Sequence, residues 1–176
     1  MSDPKDLTQR LKKVRLLLCD VDGILTDGTV LVSDGHEIKQ FHVMDGIGVR
    51  MAREAGLQVG WFSARPSSAT TKRAHELKVD FLYQDKGSKV EAIEKILKET
   101  GCTWAEVCYM GDDIVDLGAL KRAGVAACVP DGMEDAKRIS HYVTRLAGGY
   151  GAVREVIELI LKAQGKWDAF VQHYSA

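Results

Sequence analysis

The stretch "VRLLLCDVDGILTDG", residues Val14 to Gly28, sets a short apolar run against two aspartates, Asp20 and Asp22, with one residue between them. An apolar run of this length bounded by turn residues predicts a buried strand. Gly23, directly after the second aspartate, permits a tight turn at its tip. Comparable β-rich runs recur at "VGWFSA", "FLYQ", "VCYMGD", "AACVP" and "YVT". Most are separated by segments of helical period: "IGVRMAREAG", "SSATTKRAHELK", "KVEAIEKILKETG", "IVDLGALKRAG" and "MEDAKRIS". Such alternation predicts an α/β fold with a central parallel sheet and helices on both faces.

A chain of 176 residues with 45% apolar content can bury one substantial core, so a single domain over 1–176 is expected. The 24 basic and 25 acidic residues interleave, which provides no broad field for nucleic acid or an anionic membrane. No apolar stretch approaches the roughly 20 residues of a membrane span, and "MSDPKDLTQRLKK" is too polar for a secretory signal. A cytoplasmic protein with small-molecule or self partners is expected. Cys19, Cys102, Cys108 and Cys128 form no C-x-x-C pair and sit mostly in apolar runs, which predicts reduced core thiols.

Two segments break the alternation. In "GTVLVSDGHEIKQFHVMD", about residues 28–45, two β-rich runs flank Ser33-Asp34-Gly35-His36, which predicts a projecting hairpin. In the last segment, about 151–176, an apolar helix is followed by Gly165 and an aromatic tail carrying Trp167, Phe170 and Tyr174. The preceding "LAGGYGAV" suits either close approach of backbone to a ligand or a turn capping the last helix.

Ligands of open α/β sheets collect outside the carboxyl ends of the strands. Four polar signals fall at such ends: Asp20 and Asp22, Ser63, Lys89, and Asp112 with Asp113. Each alone reads as a solvated turn, a helix cap or a surface lysine; together they form one site. Clustered carboxylates repel unless a cation neutralises them, and hard oxygen ligands suit Mg²⁺ with a substrate phosphate. Ser63 and Lys89 are then available to the phosphate oxygens. Asp20 becomes a nucleophile for phosphorus and Asp22 the acid that protonates the leaving group, then the base that activates water.

"DVDGILTDG", "FSAR", "GSK" and "GDDIVD" resemble, in order and spacing, the four motifs of the haloacid dehalogenase superfamily of phosphatases. The resemblance runs from about Val14 to the C-terminal helix. It implies a Rossmann-like fold, with Asp20 as nucleophile, Asp22 as acid/base, and Ser63 and Lys89 on the phosphate. It further implies Mg²⁺ on Asp20, the backbone carbonyl of Asp22 and Asp112, supported by Asp113 or Asp116.

"FHVMDGIGVR" and "TRLAGGYGAVREV" resemble the capless 3-deoxy-D-manno-octulosonate 8-phosphate phosphatase subfamily, which serves lipopolysaccharide sugar synthesis. That likeness implies substrate contacts at His42, Val43, Met44, Asp45, Gly46, Arg50, Arg65 and Arg73, besides Asp22 and Lys89. The sequence departs from the pattern at His42, where Asn is expected, and at Met44, where a basic residue is common. Arg50 reads as lying in the first turn of a helix, where the macrodipole disfavours a cation and a bound anion would explain it. A solvated side chain is the alternative for each arginine.

Neither usual cap position has room for a lid domain, so cover from another subunit is expected. The apolar runs of the hairpin have no obvious partner within the chain. The subfamily's arrangement implies a homotetramer whose hairpins cover neighbouring sites. Rival readings are a phosphatase of a related nine-carbon acid-sugar phosphate, a phospho-receiver signalling module, and a scaffold with a dead site. A receiver has no use for an acid/base two residues after its phosphorylated aspartate, and a dead scaffold has no use for four chemical stations.

Overall fold

The computed structural model describes residues 4–33 and 36–175. The expected strands are present: β1 (Leu16–Asp20), a hairpin of β2 (Leu31–Ser33) and β3 (His36–Ile38), then β4 (Gln58–Ser63), β5 (Phe81–Gln84), β6 (Val107–Met110), β7 (Val125–Cys128) and β8 (Tyr142–Val143). The helices are α1 (Pro4–Lys12), α2 (Val43–Glu54), α3 (Ser68–Glu76), α4 (Lys89–Thr100), α5 (Leu117–Leu120), α6 (Glu134–Ile139), α7 (Ala152–Ala163) and α8 (Trp167–Ser175). Strands β5-β4-β1-β6-β7-β8 form one sheet in that order, all parallel, while β2 and β3 pair antiparallel outside it.

Strand β1 is buried along its whole length because it feeds both layers. Leu17 and Cys19 join Val59, Trp61 and Met110 on the face covered by α1, α2 and α7. Leu16 and Leu18 join Phe62, Val107 and Tyr109 on the face covered by α4, α5 and α6. Each large apolar side chain so buried contributes about 1.5–3 kcal/mol, which lets the strand hold a carboxylate cluster at its tip. The chain leaves β1 for β4 on one side and returns to β6 on the other, so the strand order reverses at Asp20. That switch point is where an open parallel sheet leaves a crevice. All four cysteines are buried free thiols, as expected.

Three segments differ in detail from the expectation. The hairpin strands are confined to Leu31–Ser33 and His36–Ile38, and the central turn residues Asp34 and Gly35 lie outside the described residues. Val43, Met44 and Asp45, read as the end of a β-rich run, form the first turn of α2 instead, with His42 at its N-cap. The aromatic tail is helix α8. It folds back so that Trp167 and Phe170 pack on the core, with Arg154 and Lys162 each 5.1 Å from the Trp167 ring centroid. Among the described residues, no helix is long and apolar enough to cross a membrane.

Candidate active site

Asp20 ends β1, and Val21 continues the strand pairing by donating to the Phe62 carbonyl at 2.9 Å. Gly23 then turns the chain at φ +98°, and a β-carbon there would run into the Asp112 carboxylate. Lys89 opens α4 behind the capping Ser88, which brings its ammonium to the same point. It donates to Asp20 Oδ1 at 2.5 Å and to Asp116 Oδ1 at 2.6 Å. Asp116 is wholly buried and also accepts from the Tyr109 hydroxyl at 2.6 Å and from the Asp112 and Asp113 N–H groups at 3.2 Å. It thereby folds the loop after β6 around its own carboxylate.

Asp20, Asp112 and Asp116 each offer an oxygen within 4.8 Å of the others. Burial, reinforced by Asp116 and Asp22, overcomes the pull of Lys89 and pushes Asp20 up to about 7. Burial, then the charges of Asp20, Asp116 and Asp113, raises Asp112 to about 7 as well. Asp112 Oδ1 is buried with no hydrogen-bond partner. An orphaned oxygen on a carboxylate clustered with two others is unfavourable alone, and the cluster is well suited to a hard divalent cation. The residues present therefore fit Mg²⁺.

The Asp22 side chain is directed elsewhere. Its Oδ1 accepts from Lys39 at 2.6 Å and its Oδ2 from Ser63 at 3.0 Å. The Ser63 hydroxyl also lies 3.1 Å from the Arg65 carbonyl oxygen and accepts from the Arg65 N–H at 3.1 Å. Asp113 caps the short turn Ile114–Asp116, accepting from the Ile114 N–H at 2.6 Å. A cavity of about 310 Å³ opens beside Ser63 and Lys89, bounded by Ala64, Tyr83 and Val115.

The residues proposed for substrate contact divide into groups. Arg65, whose N–H bonds the Ser63 hydroxyl, is paired through its guanidinium to Glu37 of the hairpin at 2.7 Å. Arg50 and Arg73 line a separate cleft between α2 and α3 with Val43, Gly46 and Glu76. There the Arg73 guanidinium packs over Gly46 and pairs with Glu76 at 3.0 Å. Val43 and Met44 are exposed. Asp45 is buried against α7, accepting from the Arg154 N–H at 2.7 Å, and burial raises its carboxyl above the usual range. His42 abuts Gly151, with its Nδ1 buried and unpartnered.

Arg50 is the eighth residue of twelve in α2, not a first-turn residue. The helix begins four residues before Ile47, so the macrodipole argument for an anion at Arg50 does not hold. Asp45 occupies the first turn instead, where a carboxylate is favoured. Sequence reasoning also passed over Lys39 and Tyr109. Tyr109 carried only the signal of a tyrosine inside a fully apolar strand, which usually needs a hydroxyl partner.

Residues 80–157 match the family model described as haloacid dehalogenase-like hydrolase. The chain is 38% identical over 162 residues to the 3-deoxy-D-manno-octulosonate 8-phosphate phosphatase KdsC of Yersinia pestis, covering 92% of this chain and 87% of the relative. Against the protein of that name in Escherichia coli K12 it is 37% identical over 164 residues, covering 93% and 87%. Among solved structures it superposes on the phosphatase of that name from Moraxella catarrhalis, in complex with magnesium, phosphate and KDO. That match has a TM-score of 0.95 at 38% identity and covers 98% of this chain and 99% of the other. The cobalt-bound phosphatase of Haemophilus influenzae matches with a TM-score of 0.91 at 36% identity, covering 96% and 100%.

The chain belongs to the haloacid dehalogenase-like hydrolases. Within that class, its family is that of the 3-deoxy-D-manno-octulosonate 8-phosphate phosphatases.

Proposed function

We propose that this protein is a Mg²⁺-dependent phosphomonoesterase that hydrolyses 3-deoxy-D-manno-octulosonate 8-phosphate to the free sugar acid and phosphate, a step in supplying lipopolysaccharide precursor. The observation that carries the reading is the convergence of Asp20, Asp112 and Asp116, one of whose oxygens has no protein partner, with Lys89 bonded to Asp20 and Ser63 lining the adjoining cavity. Asp20, Asp112 and the carbonyl of Asp22 would hold Mg²⁺, with Asp116 bracing the cluster and Asp113 shaping the loop. Bound there, the ion supplies positive charge to the phosphate and keeps the carboxylates ionised.

Asp20 attacks phosphorus in line, forming the aspartyl-phosphate as the ester bond breaks. Lys89 and Ser63 neutralise and orient the phosphate oxygens. Asp22 gives its proton to the departing alkoxide, then takes one from the water that cleaves the acyl-phosphate. The resemblance assigns Arg50, Arg65 and Arg73 to the acidic sugar; the pairing of Arg65 with the hairpin's Glu37 supports that reading for Arg65, while Arg50 and Arg73 line a cleft of their own. The exposed apolar hairpin and Val43 and Met44 support a homotetramer in which each hairpin covers a neighbour's site. A cytoplasmic location suits a chain whose four cysteines are free thiols.

A nine-carbon acid-sugar phosphate is the second reading, favoured by His42 and Met44, which depart from the pattern of the eight-carbon enzymes. Phosphate release from both esters, with Mg²⁺ and with EDTA, tests the two together. Release from the octulosonate ester that requires the metal and vanishes in Asp20→Asn is expected. Faster release from the nine-carbon ester would replace the substrate, and retained activity in Asp20→Asn would overturn the mechanism.

A further inference from the structure

We infer that Lys39 is the positioning residue of Asp22: it anchors Oδ1 and so makes Oδ2 the oxygen that exchanges a proton with the substrate. The inference rests on the reading of Asp22 as the acid/base. Lys39 lies one residue beyond β3, on a protruding hairpin where a lysine would ordinarily reach into water. Its side chain has no exposed surface instead. An ammonium withdrawn from water is strongly unfavourable unless it is paired. The pairing found is with Asp22 Oδ1 at 2.6 Å and with Glu37 Oε1 at 3.7 Å.

The period of two along β3 explains the placement. Glu37 and Lys39 turn inward while Ile38 between them is exposed. Glu37 reaches on to Arg65 at 2.7 Å, and Ser63 closes the ring by donating to Asp22 Oδ2 at 3.0 Å. Asp22 is therefore gripped from two sides, by a cation of the hairpin and a hydroxyl of β4. Two lysines withdrawn from water divide the aspartates between them: the part-buried Lys89 serves Asp20 and Asp116, and the buried Lys39 serves Asp22. With Lys39 removed, Asp22 keeps Ser63 alone and is free to rotate about χ1. A misplacement near 1 Å at a reacting group costs about 100-fold in rate.

The first half-reaction isolates this role. The ester P–O bond breaks as a bond from Asp20 to phosphorus forms; the electron pair stays on the departing oxygen, which takes the proton from Asp22 Oδ2. A sugar alkoxide needs that proton, whereas the nitrophenolate leaving p-nitrophenyl phosphate does not. Rapid-quench single turnovers of wild type, K39M, K39R and D22N with each ester, at saturating Mg²⁺, provide the test. K39M is expected to slow phosphoenzyme formation from the octulosonate ester by about 30-fold or more, with p-nitrophenyl phosphate changed less than about threefold. K39R is expected to recover part of the loss, and KM for the sugar ester to stay near wild type.

Equal losses on both esters, or a lowered unfolding midpoint with unchanged rates, would reduce Lys39 to a hairpin anchor and overturn the inference. If K39M does not fold, K39Q carries the same expectation. D22N separates the two levels of argument. A split between the esters in D22N with none in K39M sinks the role of Lys39 alone, and no split in D22N sinks the acid/base reading with it.

Discussion

Gly148 lies so close to Gly23 that a β-carbon on Gly148 would overlap the Gly23 carbonyl oxygen. The neighbouring Gly149 N–H donates to the Ile24 carbonyl at 3.0 Å. The glycine-rich segment before α7 is thus a backbone brace on the turn that carries Asp22. The close approach accounts for Gly148, while Gly151 of the same segment is the N-cap of α7, as the capping reading expects. Gly148→Ala forces one backbone away from another, and overpacking of this kind costs about 3 kcal/mol. Gly101→Ala, where a β-carbon meets nothing within 4 Å, is strained only by its φ of +66° and should cost about 1 kcal/mol. Urea unfolding of the two variants checks the difference, and Gly148→Ala should also lose most of its turnover.

Metal occupancy should be visible without turnover. A cation that binds only the folded chain raises its stability with concentration, so Mg²⁺ should raise the melting temperature and EDTA should reverse the rise. Asp112→Asn removes a charge whose buried Oδ1 has no protein partner. It should fold, with stability in EDTA equal to or above wild type, yet show little Mg²⁺ response. Differential scanning calorimetry with and without the ion measures both. An undiminished Mg²⁺ shift in Asp112→Asn would remove Asp112 from the metal set.

A second buried carboxylate gives the acid limb of the stability profile. Burial would raise the Glu155 carboxyl, but the Tyr142 hydroxyl and the Arg145 and Leu146 N–H groups donate to it and hold it below the ordinary value of 4.5. A carboxyl lowered in the folded state contributes stability present above pH 4.5 and lost as pH falls through the folded value. Glu155→Gln abolishes that slope and leaves an N–H unpaired, costing about 2 kcal/mol at neutral pH. Chemical unfolding from pH 7 down to 3 should show the gap between the proteins narrowing as pH falls. A gap constant with pH would mean that Glu155 braces the loop without linkage.

The parallel sheet and the four polar strand ends were legible because each rests on a local pattern: a β-rich run, then a residue that does not belong in a core. Helix α1 was not, since "PKDLTQRLK" carries few apolar positions and its buried Leu11 is a single point. The start of α2 was masked because "FHVMD" suits a strand end as well as a helix entry, and tertiary packing of Asp45 on α7 decides between them. Lys39 illustrates a deeper limit. A lysine after a short strand is ordinarily solvated, and its burial depends on Asp22, seventeen residues away and brought near only by the fold.

The outward face of the hairpin makes the assembly testable. Leu31 and Ile38 are directly opposed across the strand pair and are 54% and 56% exposed, a degree that leaves an apolar pair of a two-stranded ribbon in water. Burial against other subunits would stabilise that pair, whereas serine there would remove the gain and leave the inward Glu37 and Lys39 untouched. The double variant Leu31→Ser, Ile38→Ser should therefore dissociate to single chains by light scattering while retaining its circular dichroism. If a neighbouring hairpin covers each site, sugar-phosphate turnover should fall with dissociation, and p-nitrophenyl phosphate, which needs less cover, should be hydrolysed at a rate closer to wild type. A variant that stays assembled, or a wild type that is already monomeric, would assign those two residues another purpose and leave each site to be closed by its own chain.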